Sequence, residues 1–116
     1  MAMARAELSQ RGVLRAVELA RAGDAARVRV AGSVIVRQRP GTAKGFVFLS
    51  LEDESGIVNV IVTPALFARA RLALVGEPFL LVEGILQTQD GVTSVRAARV
   101  EALPRLSHVV PSHDFG

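Results

Sequence analysis

The chain has 116 residues, 50% of them hydrophobic, and this length supports one compact domain with a single modest core. It contains no cysteine, which excludes a disulfide framework, a Cys-ligated zinc site and a thiol nucleophile, and which fits a reducing, cytoplasmic setting. The net charge of +3 is compatible with a polyanionic partner. Every apolar run is far shorter than the roughly 20 residues that span a bilayer, so no membrane partner is expected.

The first 26 residues are predicted to form an N-terminal helical segment or linker. Their apolar positions recur at loosely helical spacing: Leu8, Leu14, Val17 and Leu19. The pattern covers residues 7–22 and ends at Gly23, which favours a single helix over that range.

From Arg27 the hydrophobic period changes to that of a β-strand. Period two places four valines on one face: Val28, Val30, Val34 and Val36. Gly32 interrupts this strand and predicts a bend or a bulge where the strand turns a corner.

A second strand is predicted over residues 46–51, after the turn at Pro40-Gly41. A third strand over residues 57–62 is apolar on both faces, with Asn59 as the exception. The turn between these strands contains Glu52, Asp53 and Glu54 followed by Ser-Gly. Consecutive acids point to alternate faces and Ser-Gly is turn chemistry, so a solvated hairpin turn is expected rather than a metal or acid–base pair.

A short helix is predicted to begin at Pro64, because proline is well tolerated in the first turn of a helix, and to end at Gly76. A fourth strand over residues 79–89 has a second predicted bend at Gly84. The Asp90-Gly91 pair predicts a tight hairpin turn that leads into a fifth strand over residues 92–102.

The order of these elements is strand, strand, strand, helix, strand, strand, with a long first strand. This order predicts an all-β fold, a five-stranded Greek-key OB barrel whose helix lies between the third and fourth strands, with an additional N-terminal helix. We expect the OB domain to cover residues 27–103 and a C-terminal tail to cover residues 104–116. An SH3-like barrel lacks the helix.

Cations cluster in the loop between the first and second strands, where Arg37, Arg39 and Lys44 surround the Pro-Gly turn. In an OB barrel this loop and the outer face of the second and third strands form the binding surface. Cations there follow phosphates, and aromatic rings such as those of Phe46 and Phe48 stack on bases. Three or four phosphate contacts would cost roughly 15- to 60-fold in affinity between about 50 and 200 mM salt.

The sequence leaves open which face of the second strand is exposed. Phe46 and Phe48 share one face, because they are two residues apart. If that face is outward, both rings could stack on bases. If it is inward, Val47, Leu49 and Leu51 lie outside, which is the costlier arrangement.

The remaining charged residues are assigned without a catalytic role. Arg69 and Arg71 on the helix and Arg99 on the last strand are interpreted as surface charges, while Arg96 could extend the binding groove. The tail residues His108, His113 and Asp114 lack a metal-ligand spacing. No nucleophile–base constellation, phosphate-binding loop or zinc motif is present, so no catalytic residue, metal or cofactor is expected in this chain.

Three segments give the chain a specific resemblance: VRQRPGTAKG at 36–45, LEDESGIVN at 51–59 and SHDF at 112–115. They resemble the C-terminal OB domain of bacterial error-prone DNA polymerases, which are relatives of the DNA polymerase III alpha subunit. The resemblance implies an accessory fragment, without catalytic activity of its own, of a DNA-directed DNA polymerase used in DNA repair and translesion synthesis. Its implied partner is the single-stranded DNA template.

The family's binding residues carry over onto matching positions of this sequence: Arg37, Arg39, Lys44, Phe46, Phe48 and Asn59. The family usually has an aromatic residue before the proline that follows the third strand, whereas Val62 and Thr63 precede Pro64 here. An alternative hypothesis is a protein-interaction OB domain. It would dock to other polymerase domains, the sliding clamp or mutasome proteins through the tail RLSHVVPSHDF at 105–115.

Overall fold

Five strands close into a barrel in the computed structural model, which describes residues 5–41 and 44–104. The strands are β1 (Arg27–Gln38), β2 (Val47–Asp53), β3 (Gly56–Val62), β4 (Phe79–Gln89) and β5 (Val92–Ala102). The helices are α1 (Arg5–Gln10), α2 (Leu19–Ala22), which follows a 3₁₀ turn at Ala16–Glu18, and α3 (Pro64–Gly76). The order around the barrel is β1-β2-β3-β5-β4, so the predicted OB fold is confirmed.

The long first strand belongs to both halves of the barrel, as predicted. Its residues 27–33 pair with β4 and its residues 33–38 pair with β2. At the crossing, a Cβ atom on Gly32 would lie 2.5 Å from the carbonyl oxygen of Glu52. Only glycine allows the two backbones to approach this closely.

A β-bulge between Val34 and Val36 changes the predicted side-chain alternation of β1. Val28 and Val30 are buried as predicted, but Val36 is 40% exposed. The prediction that Val36 shares their face is wrong, because the bulge adds one residue and reverses the faces of those that follow.

The core contains inward-facing valines and leucines from all five strands. Its strand members are Val28, Val30, Val47, Leu49, Leu51, Val58, Val60, Val62, Leu80, Val82, Leu86 and Val95, together with the smaller Ala97. From α3, Leu66 and Leu74 enter the same cluster. The helix begins where the Thr63 hydroxyl accepts a hydrogen bond of 3.3 Å from the backbone N–H of Leu66.

The hairpin between β4 and β5 follows its local sequence. Asp90 and Gly91 have φ values of +54° and +78°, as the predicted turn requires. The register of the pair shifts between Glu83 and Gly84, at the predicted second irregularity. The bounds of α3, β4 and β5 agree with the predicted ranges.

The N-terminal segment is not the single helix predicted over residues 7–22. The chain leaves α1 and passes through Gly12, whose φ is +78°, and Leu14 then pairs in parallel with Val30 of β1. Leu8 and Val13 are buried in a second, smaller cluster outside the barrel. Burial of these two side chains favours an extended connection over a continuous helix. Tertiary packing, rather than the local spacing of apolar residues, therefore determines the backbone conformation here.

Asp53 at the end of β2 is buried rather than solvated as predicted, with 5% of its surface exposed. Its Oδ1 accepts hydrogen bonds from Ser55 N, Ser55 Oγ and Gly56 N at 2.7, 2.8 and 3.0 Å. Its Oδ2 accepts one of 2.8 Å from the backbone N–H of Ala16. The carboxylate therefore orders the hairpin turn and joins it to the N-terminal segment.

Candidate nucleic-acid interface

Two rows of outward-facing side chains cross four strands of the barrel. They alternate along each strand with core residues such as Leu49, Val60 and Val95. Cross-strand pairing aligns the first row as Gln38, Phe48, Ile61 and Arg96. The second row is aligned in the same way as Val36, Ser50, Asn59 and Ser94.

Most of these side chains line a shallow groove of about 350 Å³ on the outside of the barrel, here called the outer groove. Its defining residues are Gln38, Phe48, Ser50, Asn59, Ile61 and Ser94. No charged side chain lines it within residues 5–41 and 44–104. The outer groove thus presents one aromatic ring among neutral hydrogen-bonding groups and aliphatic side chains, which include the exposed Val36 and Val92.

The structure shows which face of β2 is exposed. Val47, Leu49 and Leu51 point into the core and are at most 5% exposed. Phe48 therefore lies on the outer face, half-buried in the wall of the outer groove. Burying three aliphatic side chains stabilises the barrel more than burying one ring on this strand would.

Phe46 has a different position from Phe48. It precedes the first residue of β2, is half-buried, and does not line the outer groove. The structure therefore brings Phe48 and Asn59 together in the outer groove and does not bring Phe46 into it.

Arg37 is directed to α3 rather than to the outer groove. Its Nε donates a hydrogen bond of 2.7 Å to the carbonyl of Leu74, and a terminal guanidinium nitrogen donates another of 2.7 Å to the carbonyl of Glu77. Arg37 pairs with Leu49 across the strands, so the two side chains share one face of the sheet, although Arg37 itself is exposed. Arg37 therefore lies on the opposite side of β1 from Phe48.

Arg39 and Lys44 also lie apart from the outer groove. The guanidinium carbon of Arg39 is 4.8 Å from the centre of the Phe67 ring on α3, within cation–π range. Lys44 is exposed in the turn before β2, where its φ is +55°. Thr42 and Ala43, between them, lie outside the described residues.

Arg96 lies at the end of the first row, beside Ile61 of β3. It is exposed, and it is the one charged member of the two rows. A cation at this position can contact the phosphate backbone of a single-stranded nucleic acid whose bases occupy the outer groove.

The polar residues Gln38, Ser50 and Ser94 were absent from the predicted site. Ser50 is two residues from Phe48 and therefore lies on the same face of a strand, so the period-two pattern alone could have identified it. Gln38 and Ser94 enter only through the pairing of β2 with β1 and of β3 with β5.

Neither a metal-holding cluster nor a membrane-spanning helix occurs in the described part of the chain. Among residues 5–41 and 44–104, no group of three or more His, Cys, Asp or Glu side chains is placed to hold a metal ion. None of the helices there is both long enough and apolar enough to cross a membrane. His108, His113 and Asp114 lie outside the described residues.

Comparison with known proteins relates the chain to a family and to larger proteins. A family model described as an OB-fold nucleic acid binding domain matches residues 28–103. The error-prone DNA polymerase of Corynebacterium diphtheriae is 47% identical over 104 residues, which are 90% of this chain and 10% of that protein. The error-prone DNA polymerase of Anaeromyxobacter dehalogenans is 48% identical over 103 residues, 89% of this chain and 9% of that protein.

The chain thus spans about a tenth of the length of these curated relatives. Among solved structures, asparaginyl-tRNA synthetase from Pyrococcus horikoshii, complexed with asparaginyl-adenylate, aligns with a TM-score of 0.65 and 27% identity. That alignment covers 82% of this chain and 23% of the synthetase. The predicted resemblance to error-prone DNA polymerases is confirmed by the sequence matches.

Proposed function

We propose a function from the premise that this chain belongs to the OB-fold nucleic acid binding domain family, whose model matches residues 28–103. The outer groove binds single-stranded DNA. The chain serves as the template-binding accessory module of an error-prone translesion DNA polymerase, and the chemistry of synthesis belongs to other parts of that polymerase. The 47% and 48% identity to error-prone DNA polymerases supports this placement.

The observation that carries the proposal is the position of Phe48 in the wall of the outer groove. A ring in a groove wall can stack on the face of any base, and each stacked base contributes about 1–3 kcal/mol. The amide groups of Gln38 and Asn59 flank the ring along the two rows and can pair with the polar edges of bases. Binding through this groove therefore depends mainly on base contacts.

Phosphate contacts make a smaller contribution in this arrangement than the loop sequence suggested. Arg37 and Arg39 contact α3, which leaves Arg96 as the cation at the end of the first row and Lys44 as a second cation for DNA that extends beyond the outer groove. One or two phosphate contacts to a single strand imply an affinity loss of only about three- to sevenfold between about 50 and 200 mM salt.

The test is fluorescence anisotropy of a labelled oligo-dT mixed with the chain across a salt series. We expect weak binding with this shallow salt dependence. Phe48→Ala should weaken it by about fivefold to more than a hundredfold, because one stacked base is lost. Ile57→Ala is the matched control, since Ile57 is 55% exposed on β3 and does not line the outer groove.

Absence of binding even near 20 mM salt would contradict the proposal and favour a protein partner. Docking to other polymerase domains, to the sliding clamp or to mutasome proteins stays a prediction from the resemblance. The tail RLSHVVPSHDF, which that prediction uses, lies outside the described residues.

A further inference from the structure

A second groove, of about 280 Å³, lies between the end of β1 and α3. We call it the helix groove and define it by Arg37, Arg39, Phe67, Arg71, Leu74 and Val75. Leu74 is buried beneath it, and Val75 is 51% exposed at its edge. Three arginines line it, and no acidic side chain does so in the described ranges.

Two of the three arginines of the helix groove, Arg37 and Arg39, are held in place by contacts that leave donors available. Arg37 is fixed by its two hydrogen bonds to the carbonyls of Leu74 and Glu77. The guanidinium carbon of Arg39 lies over the Phe67 ring, 4.8 Å from its centre. A guanidinium stacked on a ring keeps the N–H groups of its edge free, in the fork geometry that matches a carboxylate.

An exposed apolar surface continues from the helix groove onto α3. Leu72 is 86% exposed and Val75 is 51% exposed, and they lie three residues apart on neighbouring positions of the helix surface. The charged residues of Pro64–Gly76 are Arg69 and Arg71, with no acid among them. Arginine and aromatic side chains beside exposed aliphatic ones are a composition typical of protein interfaces.

We propose that the helix groove and the exposed side of α3 form a docking site for an acidic peptide segment of a partner protein. An apolar side chain of the peptide packs against Phe67 and Val75, and its carboxylates pair with Arg39 and Arg71. Charge complementarity selects an acidic partner. A nucleic acid fits this surface less well, because Leu72 and Val75 cannot bind phosphates. Their apolar surface would also stay exposed to water, which is unfavourable.

This site is separate from the proposed DNA site. The helix groove lies on the side of β1 where Arg37 points, whereas Phe48 and Asn59 lie on the other side. Gln38 lines both grooves at the point where they approach each other. The peptide and DNA are therefore expected to bind at the same time, and DNA is not expected to contact Arg71 or Val75.

The experiment begins with selection of peptides from a phage-displayed library of random linear peptides against the folded 116-residue chain. The enriched sequence is then synthesised with a fluorescent label, and its affinity is measured by anisotropy. We expect acidic peptides with one or two apolar anchors. Arg71→Glu and Val75→Asp should each weaken the peptide at least about tenfold.

Arg69→Glu is the matched control, because Arg69 is an exposed cation of the same helix that does not line the helix groove. It should change the peptide affinity by less than about threefold, as expected for a charge at the rim. All three variants should bind oligo-dT as the unmodified chain does.

Several results would overturn the proposal. One is a selection that enriches no peptide, or enriches peptides without acids. Another is an equal loss of affinity in Arg71→Glu and Arg69→Glu, which would reveal only general charge attraction. A loss of oligo-dT binding in Arg71→Glu and Val75→Asp, with peptide binding retained, would assign the helix groove to nucleic acid. Failure of the unmodified chain to bind oligo-dT contradicts the proposed function and leaves the peptide site standing.

Discussion

Arg37 of β1 donates a hydrogen bond of 2.7 Å from its Nε to the main-chain carbonyl of Leu74 in the last turn of α3. The carbonyls of a final helical turn lack partners within the helix, and together they carry the negative end of the helix dipole. A guanidinium at this place satisfies two carbonyls, including that of Glu77, and offsets that partial charge. Arg37 therefore joins the first strand to the end of the helix.

Replacing Arg37 with alanine should lower the free energy of unfolding by about 1–2 kcal/mol, because two charge-assisted hydrogen bonds at a helix end are lost. Urea denaturation followed by circular dichroism measures this change. DNA affinity should stay within about twofold, since no phosphate contact is removed. Arg69→Ala, on the exposed side of α3, is the control and should leave both quantities unchanged. A variant with full stability and weakened DNA binding would place Arg37 in the DNA site instead.

Asp53 is expected to be the most sensitive acidic residue of the β2–β3 turn. Asp53→Ala should lower the free energy of unfolding by about 2–4 kcal/mol, because four partly buried hydrogen bonds lose their acceptor. Asp53→Asn should lower the free energy of unfolding by less than Asp53→Ala does. Its amide oxygen can still accept hydrogen bonds from Ser55 and Gly56, whereas its NH₂ group cannot accept the one from Ala16.

The adjacent Glu52 provides the control for Asp53, because it is exposed. Glu52→Ala should change stability by no more than about 0.5 kcal/mol. Equal unfolding midpoints for Asp53→Ala and Glu52→Ala would mean that the turn does not depend on the buried carboxylate.

Gly32 is predicted to tolerate no side chain. In Gly32→Ala the new Cβ would lie 2.5 Å from the Glu52 carbonyl oxygen and 2.9 Å from its carbonyl carbon, both of them backbone atoms that cannot turn aside. We expect a loss of about 3 kcal/mol or more, seen as a lower melting temperature in calorimetry. Gly76→Ala is the comparison, because a Cβ there meets no atom within 4 Å. A normal melting temperature for Gly32→Ala would show that β1 can bend without the close approach.

Arg96 is predicted to contribute to DNA binding through charge. Arg96→Ala should weaken oligo-dT binding and reduce the slope of log affinity against log salt by about 0.7, because one phosphate contact is lost. Arg99→Ala on the same strand should do neither, since Arg99 lines a different pocket together with Arg29 and Leu81. Both slopes come from anisotropy across the same salt series. An unaltered slope in Arg96→Ala would remove this residue from the proposed interface.

The sequence by itself determined the barrel and the bounds of several elements. The Asp90-Gly91 turn and the proline at the start of α3 each act on residues that are close to them in the chain. Their structural consequences are therefore visible in the sequence. The bend at Gly32 is also visible in the sequence, because a glycine inside a valine-rich strand usually marks a bend, a bulge or a close approach of two backbones.

Only the tertiary structure decided what the candidate side chains face. The bulge before Val36, the burial of Asp53 and the hydrogen bond from Arg37 to Leu74 each depend on residues that are distant in the chain. Cross-strand pairing brings Gln38, Asn59 and Ser94 to the same groove, although nothing local links them. A loop rich in cations has one composition but many ways to orient its side chains. Packing against α3 stabilises one of these orientations, and the residues next to the loop in the sequence do not indicate which one.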